Sequence, residues 1–417
     1  MRSPPDDAGP LGLARRHALF LGAFGVGVVV RVVVMVAYRP AMVFPDSAGY
    51  LLRAQDLTFS VNRPSGYSIL LRLVETVSGS LATVAVLQHV VGLALAVACY
   101  AFLVRRGVPH WGGVLGTLPL LLDPLQLVLE HYVLSDVLFE ALLVGACLTL
   151  LWRHRPGPGA VLAVGALVAG AALVRGAGTL LLPVFLGALL CLRPRWTAVA
   201  AFLVGAAVPL AAYAAVFHHQ HGDYALAQAG PRFLYSRLAP ITPCRDLQMP
   251  AYERPLCPPE PVGRRPSSDA FMWGQHQASQ WHLKVPPGVR PVQAVKDFDK
   301  RVVRSQPLIY LRAIATDLAR GFAPARTYDV PGYPSSYWLF QDHYWSADTF
   351  PGLREKIASG RFGAVADNRN AATAMAAYGR WVFSPGPVMA LLLFVCVAAT
   401  LGVRRARRSG DRTAVGL

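Results

Sequence analysis

Apolar positions along this chain gather into long unbroken blocks instead of alternating or forming narrow stripes. The blocks fall at roughly 17–38, 81–104, 112–129, 135–153, 159–175, 177–193, 196–217 and 385–404. Each approaches the ~20 residues that cross about 30 Å of hydrocarbon, and the shorter ones suit tilted or partly buried helices. The pattern predicts an all-α polytopic membrane protein with about eight transmembrane helices. Two stretches break it. The first, "FPDSAGYLLRAQDLTFSVNRPSGYSILL" from Phe44 to Leu71, mixes leucines with Asp46, Tyr50, Arg53, Asp56, Arg63 and Tyr67. It reads as amphipathic helix at a membrane surface, with Leu51, Leu52 and Leu57 on the interface and Arg53 and Asp56 in water. The second, 218–384, is rich in Pro, Arg, Asp, Trp and Tyr. A helical pattern over 292–322 breaks before Pro307, and the aromatic content predicts a packed cap, not a disordered tail.

Charge sets the orientation of these blocks. A formal net charge of +17 in 417 residues raises the prospect of nucleic acid. Yet Arg15-Arg16, Arg105-Arg106, Arg153/Arg155, Arg193/Arg195 and Arg404-Arg405/Arg407-Arg408 all flank apolar blocks and thread to one side. The opposite short connections carry Glu130, Asp136 and only Arg175. That is positive-inside patterning, so no nucleic-acid partner is expected and both termini are placed in the cytoplasm. The N-terminus has no small-x-small cleavage site and reads as a retained first helix. The organisation is then a cytoplasmic tail 1–16, a transmembrane module 17–217 with a first external loop 39–80, an external cap 218–384, a last helix 385–404 and a basic cytoplasmic tail 405–417. Cys99, Cys147, Cys191 and Cys396 lie in apolar blocks as small core residues. Cys244 and Cys257 lie in the cap, where a disulfide is expected and a metal pair is the weaker alternative.

The candidate chemistry sits in the short connections. Asp46 has two readings: an N-cap of the helix that follows Pro45, or a general base at the membrane surface. A cap would also fix the carboxylate in place. Glu130, His131, Ser135 and Asp136 cluster at a second external connection, in "LEHYVLSDVLFEALL". Acids beside an apolar helix tend to be functional. Asp136 alternatively caps its helix, Glu130 alternatively stays solvated at the interface, and Glu140 reads as a structural hydrogen-bonding group. Arg175 and Arg63 either snorkel to headgroups or bind a phosphate with the forked guanidinium. Arg31, inside the first block, needs a structural partner. There is no P-loop, zinc motif, nucleophile elbow or inverted pair of interrupted helices.

These pieces, in this order, resemble the GT-C superfamily of membrane glycosyltransferases, in particular the family 39, protein O-mannosyltransferase and aminoarabinose-transferase group. "FPDSAGYL" and "RPSGYSILL" resemble the acidic first-loop motif and the Arg/Pro-Gly-Tyr-Pro-like element that follows it. "LSDVLFEALL" matches an acid at the start of the fourth span, and "LVRGAGTLLLP" matches an arginine-bearing span end. The resemblance covers roughly 15–195. It departs where the family commonly has paired acids, since Asp46 is followed by Ser47, and in having fewer spans. It implies inverting transfer of a sugar from a polyprenyl-phosphate donor to an envelope acceptor on the external face. Asp46 would be the base, with Arg63, Tyr67, Glu130, His131, Asp136 and Arg175 at the substrate. Membrane lipids and the lipid-linked donor are the implied partners, and the unpaired acid leaves a divalent metal doubtful. The rival readings are a transporter or flippase of a lipid-linked intermediate, and a non-catalytic scaffold.

Overall fold

The computed structural model describes residues 15–153, 155–192, 194–245, 247–324, 335–342 and 366–409. The tail 1–14, Arg193, the cap stretches 325–334 and 343–365, and 410–417 of the basic tail lie outside the described residues. The described residues are all-α apart from a two-residue antiparallel pairing, Tyr38–Arg39 with Ala366–Asp367, and an isolated parallel bridge between Met42 and Tyr132. It divides into two units: residues 1–230 with 336–383, and residues 231–335 with 384–417.

Helices of the first unit are α1 Ala18–Ala37, α2 Pro45–Asp56, α3 Gly66–Val77, α4 Leu81–Arg105, α5 His110–Leu122, α6 Pro124–His131, α7 Asp136–Leu151, α8 Pro158–Val174, α9 Leu181–Cys191 and α10 Trp196–His221. Among the described residues of the whole chain three helices, α1, α4 and α10, are long and apolar enough to cross a membrane, or up to five spans if each of two bent helix pairs is one span. Their outward faces are apolar: Val29 on α1 and Val208 on α10 are each 63 % exposed, a surface that suits lipid and not water. A helix forms at every expected apolar block, but α7, α8 and α9 have only 16, 17 and 11 residues. At ~1.5 Å per residue none of these alone spans about 30 Å.

The block read as one span over 112–129 is two helices meeting at 45°. Asp123-Pro124 causes the break. Proline cannot continue the hydrogen-bond ladder of the preceding turn, and the Asp123 carboxylate accepts from Leu125 N–H at 2.8 Å, capping α6. Elsewhere small residues bring helices into contact. A Cβ on Gly165 would collide with the Phe202 carbonyl, and one on Gly205 with the Leu162 carbonyl. These two glycines therefore set how closely α8 and α10 pack.

The second unit contains α11 Gly230–Leu238, α12 Ser268–Met272, α13 Pro291–Ser305 and α14 Pro307–Gly321, the last two divided at Gln306-Pro307. Tyr235, Leu238, Leu256, Phe271, Phe298 and Val302 form its core. Cys244 and Cys257, 6.1 Å apart at Cα, are joined as a disulfide, which leaves no thiolate pair for a metal. Arg265 ties this loop down, donating to the carbonyls of Ala239 (2.7 Å), Thr242 (2.8 Å) and Glu260 (2.8 Å). Helix α15, Arg369–Trp381, belongs to the first unit and α16, Gly386–Ser409, to the second.

One residue makes this second core sensitive to pH. Asp299 on α13 is 2 % exposed, neither carboxylate oxygen has a hydrogen-bond partner among the described residues, and burial pushes its pKa up to about 8. Because the folded form holds the proton more tightly than the unfolded chain, its stabilising effect is complete below the ordinary carboxylate range. It is lost as pH rises toward 8, at about 1.4 kcal/mol per pH unit. Chemical unfolding followed by Trp273 and Trp281 fluorescence should therefore show stability falling between pH 5 and pH 8. Asp299→Asn should flatten that slope; an unchanged slope would assign it to other groups.

Candidate functional site

The site is built on a backbone clamp between two connections far apart in sequence. Met42 N–H donates to His131 O (3.0 Å), and Val133 N–H donates to Met42 O (2.9 Å). Ser47 Oγ accepts from Phe44 N–H (2.9 Å) and donates to Val133 O (2.8 Å). Ser47 thus does the capping expected of Asp46, and it locks the start of α2 against the residues leading into α7. Asp46, second in α2, is left with its carboxylate turned to Arg63, with which it forms an ion pair. Asp136, first in α7, makes no capping bond either. It pairs instead with Arg175 at the end of α8.

These two ion pairs flank a tyrosine–serine contact. Tyr50 Oη lies 3.2 Å from Ser135 Oγ, and the Arg63 guanidinium stands 5.9 Å from the Tyr50 ring centre. Tyr67 is fully buried behind Tyr50, edge-on at 5.1 Å, its hydroxyl donating to Gln88 Oε1 at 2.8 Å. The acids and arginines are all half-exposed: side-chain exposures are 30 % and 25 % for Asp46 and Arg63, and 29 % and 41 % for Asp136 and Arg175. Burial opposes charge on Arg63, but the adjacent Asp46 carboxylate, with Tyr50, outweighs it and raises Arg63 above the ordinary arginine value. Each arginine meets its carboxylate through Nη1, and a guanidinium carries five N–H donors in all.

Glu130 and His131 are not brought to that surface. Both are fully buried, which corrects the reading of Glu130 as a solvated interface residue. The bend at Asp123-Pro124 turns α6 inward, and Gly92 on α4 leaves the space that the Glu130 carboxylate fills. Arg31 grips it with two bonds of 2.8 and 2.7 Å and donates its remaining N–H groups to the carbonyls of Gly27, Leu120 and Leu121. His89 Nδ1 lies 2.7 Å from Glu130 Oε2, and His89 Nε2 lies 3.1 Å from His131 Nδ1. The other ring nitrogen of His131 donates to Tyr38 O. Gln88 donates to the carbonyls of Glu130 (2.9 Å) and Tyr132 (2.8 Å), and Glu140 accepts from Gln126 at 2.9 Å. This polar core, every member of it bonded, fixes the 130–136 connection from beneath.

No family model, curated protein or solved structure matches the chain. Sequence reading missed Gln88 and His89, although two adjacent polar residues in an otherwise uncharged stretch of a 25-residue apolar helix are the signal for a buried network. It also missed that residues 336–342 return to this end of the unit. Trp338 packs 5.1 Å from Phe44, Tyr132 Oη donates to Tyr337 O at 3.0 Å, and Tyr38 Oη donates to Gln341 O at 2.6 Å. Among the described residues no three His, Cys, Asp or Glu side chains are arranged to hold a metal ion.

Proposed function

We propose that the chain is an inverting membrane glycosyltransferase that takes a sugar from a polyprenyl-phosphate donor. In this reading its helices form a GT-C-like bundle of about eight spans, both termini are cytoplasmic, and the site faces outward. One observation carries the proposal. Three segments that resemble that superfamily's motifs converge, so that the half-exposed pairs Asp46–Arg63 and Asp136–Arg175 flank the buried Tyr50–Ser135 contact. The donor phosphate draws Arg63 away from Asp46 and engages Arg175, which Asp136 holds in place. Asp46 is released only then, and takes the proton of the acceptor hydroxyl as that oxygen bonds to the anomeric carbon. The bond from the anomeric carbon to the phosphate oxygen breaks, and its electron pair leaves on the lipid phosphate held by the two arginines. Ordering these groups before reaction supplies the orientation such a displacement needs. Asp136 positions Arg175, and the Glu130–His131 core holds the loop that bears Asp136.

The buried chain Arg31–Glu130–His89–His131 gives the flippase reading its one favourable feature, since ionic chains inside membranes also mark transport paths. The two readings separate in a single assay. Purified protein in vesicles with polyprenyl-phosphate sugars and an envelope extract as acceptor should release free polyprenyl phosphate. Movement of the lipid between leaflets with no phosphate released would establish transport instead.

Arg175 gives a finer test. A residue that only anchors to headgroups is replaceable by lysine, whereas a phosphate clamp uses the planar fork. Arg175→Lys should express normally yet raise the apparent donor KM by about tenfold, close to the loss of one charge-assisted bond, with Arg175→Ala worse. Identical donor titrations for lysine variant and wild type would return Arg175 to an anchoring role.

A further inference from the structure

At the end of α7 remote from Asp136 there is a cavity of about 570 Å³, lined by residues of α4, α7, α8 and the turn between the last two. That volume falls within the ~300–1,000 Å³ typical of ligand clefts. Its lining is mostly apolar, including Ala98, Leu148 and Ala160, and Thr149, Trp152 and Arg153 complete it on the polar side. The rim is strongly basic. Arg153 is exposed and makes no hydrogen bond or ion pair among the described residues. Arg105 lies 5.5 Å from the Trp152 ring centre, and Arg106 lies 5.2 Å from that of Phe102. The two connections at this end, 105–111 and 151–160, contain no acidic residue at all. A mostly apolar slot between helices, with arginine the sole charged residue type in the adjoining connections, matches one ligand chemistry: a hydrocarbon chain carrying an anionic head.

We infer that this cavity is a binding site for an anionic glycerophospholipid, with one acyl chain along Ala98, Leu148 and Ala160 and the phosphate on Arg153. Trp152, fixed by Arg105, stands between chain and head, the position that amphipathic aromatics favour at a membrane interface. The site is separate from the Asp46–Arg63 patch: the 16 residues of α7 put about 24 Å of helix between its ends. The inference does not depend on the transferase reading, and a protein with no transferase activity would still bind this lipid.

The test uses full-length protein in detergent, offered equal amounts of phosphatidylglycerol and phosphatidylcholine with matched chains, and native mass spectrometry to count retained lipid. Wild type should retain phosphatidylglycerol preferentially. Arg153→Gln, an exposed substitution that leaves packing intact, should cut that preference about fivefold, as expected for one arginine near an anionic headgroup. Ala160→Phe should fill the cavity and reduce retention of both lipids, while Arg175→Ala should leave the preference unchanged. Equal retention of the two lipids by wild type, or an unaltered preference in Arg153→Gln, would overturn the inference. So would loss of the preference in Arg175→Ala, because that would place the bound lipid at the other end of α7.

Discussion

Replacing Glu130 with glutamine is expected to destabilise the first unit by about 3–5 kcal/mol, the usual effect of removing one partner of a buried ion pair. The substitution leaves the Arg31 guanidinium, 4 % exposed, without its counter-charge in the middle of α1. Water cannot reach it there, and the backbone carbonyls of Gly27, Leu120 and Leu121 neutralise only part of it. His89 would also lose its charged acceptor, and with it the chain that holds His131 against Tyr38 O. Folded yield and thermal melting in detergent are the readouts. The double variant Arg31→Met/Glu130→Gln should recover part of the loss, because the cost lies in the orphaned charge and not in the missing pair. A melting temperature unchanged in Glu130→Gln would mean that the Arg31–Glu130 pair carries little of the fold.

Asp46→Asn is expected to have the largest effect on function with almost none on folding. Its partner Arg63 keeps water within reach, so the loss of the pair costs little stability. Ser47 caps α2, so the helix keeps its start. If Asp46 accepts the acceptor's proton, turnover should fall by about 10²-fold or more while donor binding stays intact or tightens, since Arg63 is then free for phosphate. Asp136→Asn should cost less, because that carboxylate orients Arg175 and takes no proton. Near-wild-type turnover in Asp46→Asn would remove it from the base role.

Much of this was legible in the sequence, and what was not has definite causes. Long apolar blocks dictate helices, because backbone groups in lipid must bond within their own segment. Helices accordingly stand at every expected block. Length was harder to read, since α7 to α9 end well short of a full crossing and Asp123-Pro124 divides an apolar run whose hydropathy alone looks continuous. The acids and arginines of the surface patch stood out as charges at the ends of apolar blocks. Their pairing did not, because Asp46 with Arg63 and Asp136 with Arg175 depend on how α2, α3, α7 and α8 meet. Glu130 was the hardest. Its neighbours in sequence are those of a loop, its partner Arg31 lies 99 positions away, and the space it occupies exists because position 92 has no side chain. Of the two readings of Asp46 the cap is the one that fails, for a local reason: Asp46 and Ser47 are both good caps, and the next connection's Val133 carbonyl selects the serine.

The central claim is that the Asp46–Arg63 and Asp136–Arg175 pairs form one transfer site. It is tested most directly by following free polyprenyl phosphate released from a polyprenyl-phosphate sugar in vesicles, with wild type and Asp46→Asn assayed side by side at matched donor occupancy. Wild type should show release that depends on added acceptor, and the fully donor-loaded asparagine variant should release about 10²-fold more slowly. Equal release by the two proteins, or none from wild type with any donor while labelled lipid still crosses the bilayer, would contradict it.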